Sequence, residues 1–111
     1  MKTNFMKKMI RLPQNRPPVH PGEILLEEFI FPYDLTQQEM ANHLKISRKH
    51  LIDIIHAEKP VSLEIAQRLA KVFQTSIEFW IEGQMAYDLW HAIRHPSREL
   101  RSIKPFKVSV N

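Results

Sequence analysis

Between residues 19 and 95, apolar positions recur at the 3.6-residue spacing of helices, and short polar or proline-bearing links separate the periodic runs. The first run predicts a helix from about Pro21 to Phe31, with Leu25, Leu26 and Phe29 inward and Pro32 as its stop. Thr36 followed three residues later by Glu39 is a capping box, so a second helix opens there and ends near Leu44. Ser47 is a good N-cap for a third helix reaching about His56 through Leu51, Ile54 and Ile55. A fourth follows Ser62 with the stripe Ile65, Ala66, Leu69, Ala70 and Phe73, and a fifth runs from Ser76 to about His95, where Pro96 ends it. Five helices joined by short links predict an all-α bundle over residues 19–95.

The two ends read differently. Residues 1–18 lack periodicity and contain Pro13, Pro17 and Pro18, so they are expected to be a flexible basic arm: a polyanion tether, a segment that folds on a protein partner, or an inert leader. Residues 96–111 form a second tail, in which Phe106, Val108 and Val110 alternate with Lys107 and Ser109 at the period of one strand. Such a strand is either frayed or added to another chain's sheet edge.

Composition narrows the function classes. The 111 residues include no cysteine, which removes disulfides, thiolate catalysis and cysteine-based zinc sites. Only two glycines are present, too few for a phosphate-cradling βαβ loop, and no apolar run is long enough for a spanning helix. The basic N-terminal stretch lacks the apolar core of a secretory signal, so a cytoplasmic protein without a membrane role is expected. The net charge of +4 sits in the ends: residues 1–20 carry five cations and no acid, whereas 21–61 carry four cations against seven acids. Nucleic-acid binding by the middle of the chain must therefore rest on where cations are placed, not on net charge.

That placement is found across the second and third helices. Counting from Gln37, the fifth residue is the small Ala41, and Met40, Leu44, Ile46, Leu51 and Ile54 fill the inward positions of a helix-turn-helix unit. The third helix then presents Ser47, Arg48, Lys49, His50 and Asp53 outward near its N-terminal end, the end that enters a major groove. Arg48 and Lys49 suit guanine O6 and N7, and Asp53 suits cytosine N4. Gln37, Lys45, Ser47, His50, His56 and Lys59 are placed to meet phosphates. The turn ordinarily takes glycine because its backbone has positive φ; here it is Lys45, at a cost of about 1–2 kcal/mol. Glu23, Glu27, Glu28 and Glu64 must face away from a duplex. A plain αα-hairpin is the alternative, and the cationic outward face of the third helix speaks against it.

The runs HPGEILLEEF, LTQQEMANHLKISRKHLIDIIHAEKPVSLEIAQRLAKVF and SIEFWIEGQMAYDLW resemble the HigA family of antitoxins with its phage-repressor-like (XRE) helix-turn-helix domain. The resemblance covers residues 19–95; the arm is longer than the family core and the C-terminal tail has no counterpart. It implies a dimeric antitoxin of a type II module that neutralises a HigB-type toxin, an mRNA ribonuclease, and represses its own operon. By the same resemblance Arg48, Lys49 and Asp53 fall at base-contacting places, and Gln37 and Ser47 at phosphate-contacting ones. A stand-alone XRE-type repressor without a toxin partner, and an interaction module that no longer reads DNA, are the competing readings.

The fifth helix carries more apolar residues than one stripe requires, which marks an interface. A two-fold homodimer is expected through Trp80, Ile81, Gln84, Tyr87, Asp88 and Trp90, so that two third helices meet successive grooves of double-stranded DNA at a pseudo-palindromic operator. Packing of both tryptophans inside one chain is the alternative. Asp88, His91 and His95 share a helix face, but no further ligand joins them, and neither a metal site nor a cofactor is expected. No catalytic constellation stands out, so no enzyme activity is expected.

Overall fold

Helices in this protein begin wherever a side-chain oxygen or nitrogen can take an orphan backbone amide, and the computed structural model, which describes residues 16–107, follows that rule along the chain. The His20 ring Nδ1 accepts from Gly22 N–H at 2.9 Å and opens α1, Pro21–Ile24, with proline at its first position. Thr36 and Glu39 form the reciprocal capping box of α2, Gln37–Leu44, at 3.0 and 2.8 Å. Ser47 caps α3, Arg48–Ile55; Ser62 caps α4, Leu63–Phe73; and Ser76 caps α5, Ile77–Arg94. The five expected helices are thus present, in an all-α fold.

Two features depart from expectation. The first helix widens into a π-helical stretch over Leu25–Ile30 before it stops at the turn containing Pro32. The wider turn lets Leu25 and Ile30, five residues apart, both point into the core, at 0 % and 1 % exposure; an α-helix would set them on diverging sides. The second departure is a sixth helix in the C-terminal tail, α6, Arg98–Ser102, capped by Ser97. It buries nothing, so no apolar stripe announces it; its cap and the favourable order of Glu99 before Arg101 are local. Of the alternating run expected as one strand, Phe106 and Lys107 are described and lie in no strand, while Val108, Ser109, Val110 and nearly all of the basic arm lie outside the described residues.

The core gathers Met40, Ala41 and Leu44 of α2, Leu51 and Ile54 of α3, Ile65, Ala66 and Leu69 of α4, and Trp80 of α5, with Leu25 and Ile30 closing one side. Both glycines mark where α1 is wedged. A Cβ on Gly22 would stand 1.9 Å from the Ile54 carbonyl oxygen, and one on Gly83 would stand 3.3 Å from the Pro21 ring. The start of α1 therefore sits against α3 on one side and α5 on the other, and only a residue without a side chain fits at Gly22.

Candidate nucleic-acid interface

The α2–α3 pair is built as a helix-turn-helix from the inside out. Ala41 is fully buried, its carbonyl accepts from Ile46 N–H at 3.1 Å, and its small side chain permits the close approach of the two helices. Lys45 occupies the left-handed region at φ 56°, ψ 45°, the conformation that the missing glycine implies. Leu51 and Ile54 turn the inner face of α3 into the core, which leaves the N-terminal outer face of α3 in solvent.

On that outer face Arg48 and Lys49 are exposed and His50 is half-buried, while Ser47 is exposed and its Oγ accepts from His50 N–H. Lys45, His56 and Lys59 are also exposed, and Gln37 is half-buried at the first position of α2. Asp53 differs from expectation. Its side chain is only 16 % exposed, and its Oδ2 lies 3.2 Å from Lys49 Nζ, one helical turn away. The carboxylate is thus engaged by Lys49 rather than standing outward beside it, and reading a base would require the pair to open.

One residue that sequence reasoning missed secures the turn. Arg68 of α4 donates from Nη1 to the Leu44 carbonyl at 2.9 Å and to the Lys45 carbonyl at 3.2 Å. A guanidinium there satisfies the free carbonyls at the end of α2 and meets the negative end of its dipole. The two positions lie 24 residues apart, so no local pattern links them. Glu64 accompanies Arg68, with Oε2 3.9 Å from Nη2. It therefore stands beside the turn instead of clear of it. The α1 acids Glu23, Glu27 and Glu28 are exposed on a different helix.

Of the six α5 residues expected at an interface, Trp80, Gln84 and Trp90 are buried within the chain, whereas Ile81 and Tyr87 are half-buried and Asp88 is exposed. Trp80 is fully buried within the chain, its Nε1 donating to Thr75 Oγ1 at 2.7 Å and its ring packed on Phe29 and Phe79. Gln84 is buried too: its Oε1 accepts from Val61 N–H at 2.8 Å and its Nε2 donates to Asp88 Oδ1 at 2.9 Å. Trp90 is 8 % exposed beneath the Arg94 guanidinium, 4.2 Å from the ring centroid. Ile81 packs on the core, and Tyr87 meets the His20 ring edge-on at 4.7 Å. Hence the aromatic and amide residues of this helix fasten it to its own bundle. The large apolar residues of α5 left in solvent are Phe79, Met85, Leu89 and Ile93, the last three spaced four apart along one face.

Burial holds the His20 imidazole below its ordinary protonation range, partly offset by the Asp88 carboxylate, so the ring stays neutral and its Nδ1 free to cap α1. The exposed Glu39 carboxylate is lowered by the Thr36 backbone and hydroxyl. Among the described residues, no group of three or more His, Asp or Glu is placed to hold a metal ion; His91 stacks on His95 and packs at a tilt against Tyr87. No helix among the described residues is long and apolar enough to cross a membrane.

This geometry has counterparts in known proteins. Residues 32–80, which span the capping box, the turn, α3 and α4, match the helix-turn-helix family. The chain is 43 % identical over 75 residues to the uncharacterized HTH-type transcriptional regulator YbaQ of Escherichia coli K12, a match covering 68 % of this chain and 66 % of YbaQ, just under two thirds of that relative. It is 30 % identical over 95 residues to antitoxin HigA-1 of Vibrio cholerae, covering 86 % and 90 %. The fold is similar to that of Pseudomonas aeruginosa antitoxin HigA, solved with the higBA promoter, at a TM-score of 0.70, 34 % identity, and 81 % and 99 % coverage.

Proposed function

Given that this chain belongs to the HigA family of helix-turn-helix antitoxins, we propose that it is the antitoxin of a type II toxin–antitoxin module, a sequence-specific repressor of its own operon that also neutralises a HigB-type mRNA ribonuclease. The observation that carries the DNA-binding part is the exposed N-terminal face of α3, with Arg48 and Lys49 in solvent behind a turn locked by Arg68. A HigA relative solved with the higBA promoter supports it. In this reading Arg48 and Lys49 meet base edges, and Asp53 joins them once Lys49 releases it. Gln37, Lys45, Ser47, His50, His56 and Lys59 hold phosphates.

The repressor acts as a two-fold dimer on a pseudo-palindromic operator whose half-sites lie about 34–36 Å apart. In that dimer the exposed stripe Met85, Leu89 and Ile93, with Asp88 and the half-buried Ile81 and Tyr87, meets the partner copy, in place of the buried Trp80, Gln84 and Trp90. Its place of action is the cytoplasm, and the chain itself carries out no catalytic step.

The test is co-purification of the chain with the product of the adjacent gene, followed by footprinting of the shared promoter. Arg48→Ala should cost about 1–3 kcal/mol of operator affinity and relax base preference, whereas Lys59→Ala should weaken all sequences evenly. Operator binding left intact by reversing both Arg48 and Lys49 would remove the DNA-reading role. A footprint without any toxin in the complex would favour the stand-alone repressor.

A further inference from the structure

Between Arg16 and Lys45 the chain contains no lysine or arginine, and five acids stand in that stretch: Glu23, Glu27, Glu28, Asp34 and Glu39, all exposed. The same stretch carries two large aromatic side chains in water, Phe31 at 66 % and Tyr33 at 61 % exposure. Tyr33 stacks on Phe73 of α4 at 5.9 Å and 20°, and together with Leu35, Met40, His43 and Val72 it lines an open groove of about 490 Å³. Lys71, next to Val72, is the one lysine or arginine adjacent in sequence to a residue of that groove.

The exposed acids N-terminal to α2, Glu23, Glu27, Glu28 and Asp34, share a short stretch with the exposed Phe31 and Tyr33 and repel phosphate, so this part of the chain lies outside the DNA interface. Two copies of it would also repel each other. What it fits is a cationic protein segment. Arginine and lysine heads meet the carboxylates or lie over the Phe31 and Tyr33 rings, and an apolar side chain enters the groove. A ribonuclease that grips mRNA must itself present such a cationic surface, because RNA is bound largely through its phosphates. We infer that the face formed by the π-helical end of α1, the Phe31–Asp34 turn and the Tyr33–Phe73 groove is where this chain grips its toxin, through the toxin's RNA-facing cations. The inference rests on the antitoxin reading above and supplies the surface that reading lacks.

The test uses the full chain and the purified basic protein encoded beside it, with titration calorimetry for the pair, footprinting for the operator and light scattering for mass. Glu27→Lys combined with Glu28→Lys, and separately Tyr33→Ser, should each weaken toxin binding at least about tenfold, with wild-type affinity falling as salt rises. Operator footprint and mass should stay as in the wild type. Wild-type toxin affinity in both variants would overturn the assignment of this face while leaving the antitoxin reading intact. A wild-type chain that binds no toxin would overturn that reading and this inference together. A fall in mass in either variant would make the face a self-interface and overturn the inference. Should the double variant lose its operator footprint through misfolding, Tyr33→Ser decides by the same criterion.

Discussion

Arg68 and Leu44 lie 24 residues apart in sequence, yet the Arg68 guanidinium donates to the Leu44 carbonyl at 2.9 Å and, through the same nitrogen, to Lys45 at 3.2 Å. The contact couples α4, which touches no DNA in the proposed complex, to the angle at which α3 is presented. Replacing Arg68 by methionine keeps the aliphatic stem and removes both bonds. It should lower stability by about 1–3 kcal/mol, since charged hydrogen bonds at a helix end are lost, and should also weaken operator binding. Denaturant unfolding together with gel-shift titration checks both, and full operator affinity in a destabilised Arg68→Met chain would limit the role to stability.

Lys45 opposes two demands. Its left-handed backbone at φ 56° disfavours a side chain, while its charge is placed for a phosphate. Lys45→Gly should therefore stabilise the free protein by up to about 1 kcal/mol and at the same time weaken DNA binding. The loss should shrink as salt rises, because one phosphate contact's counterion release is gone. Thermal melts and binding at two salt concentrations separate the two effects.

Gln84 bridges the Val61 amide and Asp88, and its role is internal. Gln84→Leu strands the buried Val61 N–H and should cost about 1–3 kcal/mol of unfolding free energy. Its melting temperature should not gain any new dependence on protein concentration. The contrasting substitution is Leu89→Lys on the exposed stripe, which should leave monomer stability within about 0.5 kcal/mol and shift the mass toward monomer. Sedimentation of the two variants side by side tells the roles apart.

His20 is neutral in the folded chain because burial lowers its protonation below the ordinary value of 6.5. The unfolded chain binds the proton more readily, so stability present above about pH 6.5 declines as the pH falls through that value toward the lowered folded one. His20→Asn retains a capping side chain and removes the titration. Melting temperatures at pH 5 and pH 8 should differ less in that variant than in the wild type; an unchanged difference would move the cause to another histidine.

Much of the local design was legible in the chain. Thr36 with Glu39, Ser47, Ser62 and Ser76 cap helices in the structure because capping is a contact between residues two or three positions apart. Lys45 takes the left-handed conformation expected at the turn, with Leu44 buried before it and Ile46 packed on the core after it. The π-helical stretch was not legible: Leu25, Leu26 and Phe29 satisfy a regular helix, and only the core shared with Ile30 selects the wider turn.

Sequence by itself determined the five helices of residues 19–95, the Thr36, Ser47, Ser62 and Ser76 caps and the outward cations of α3, since each depends on neighbours within one or two turns. Only tertiary structure decided which side of α5 is inside. Trp80, Gln84 and Trp90 look equally suited to a partner or to their own bundle, and the choice is made by Thr75, Val61 and Arg94, together with the packing of α1 and α4. The same holds for Asp53 and Arg68. Periodicity says which residues share a helix face, but burial and long-range hydrogen bonds depend on what the rest of the chain brings against that face.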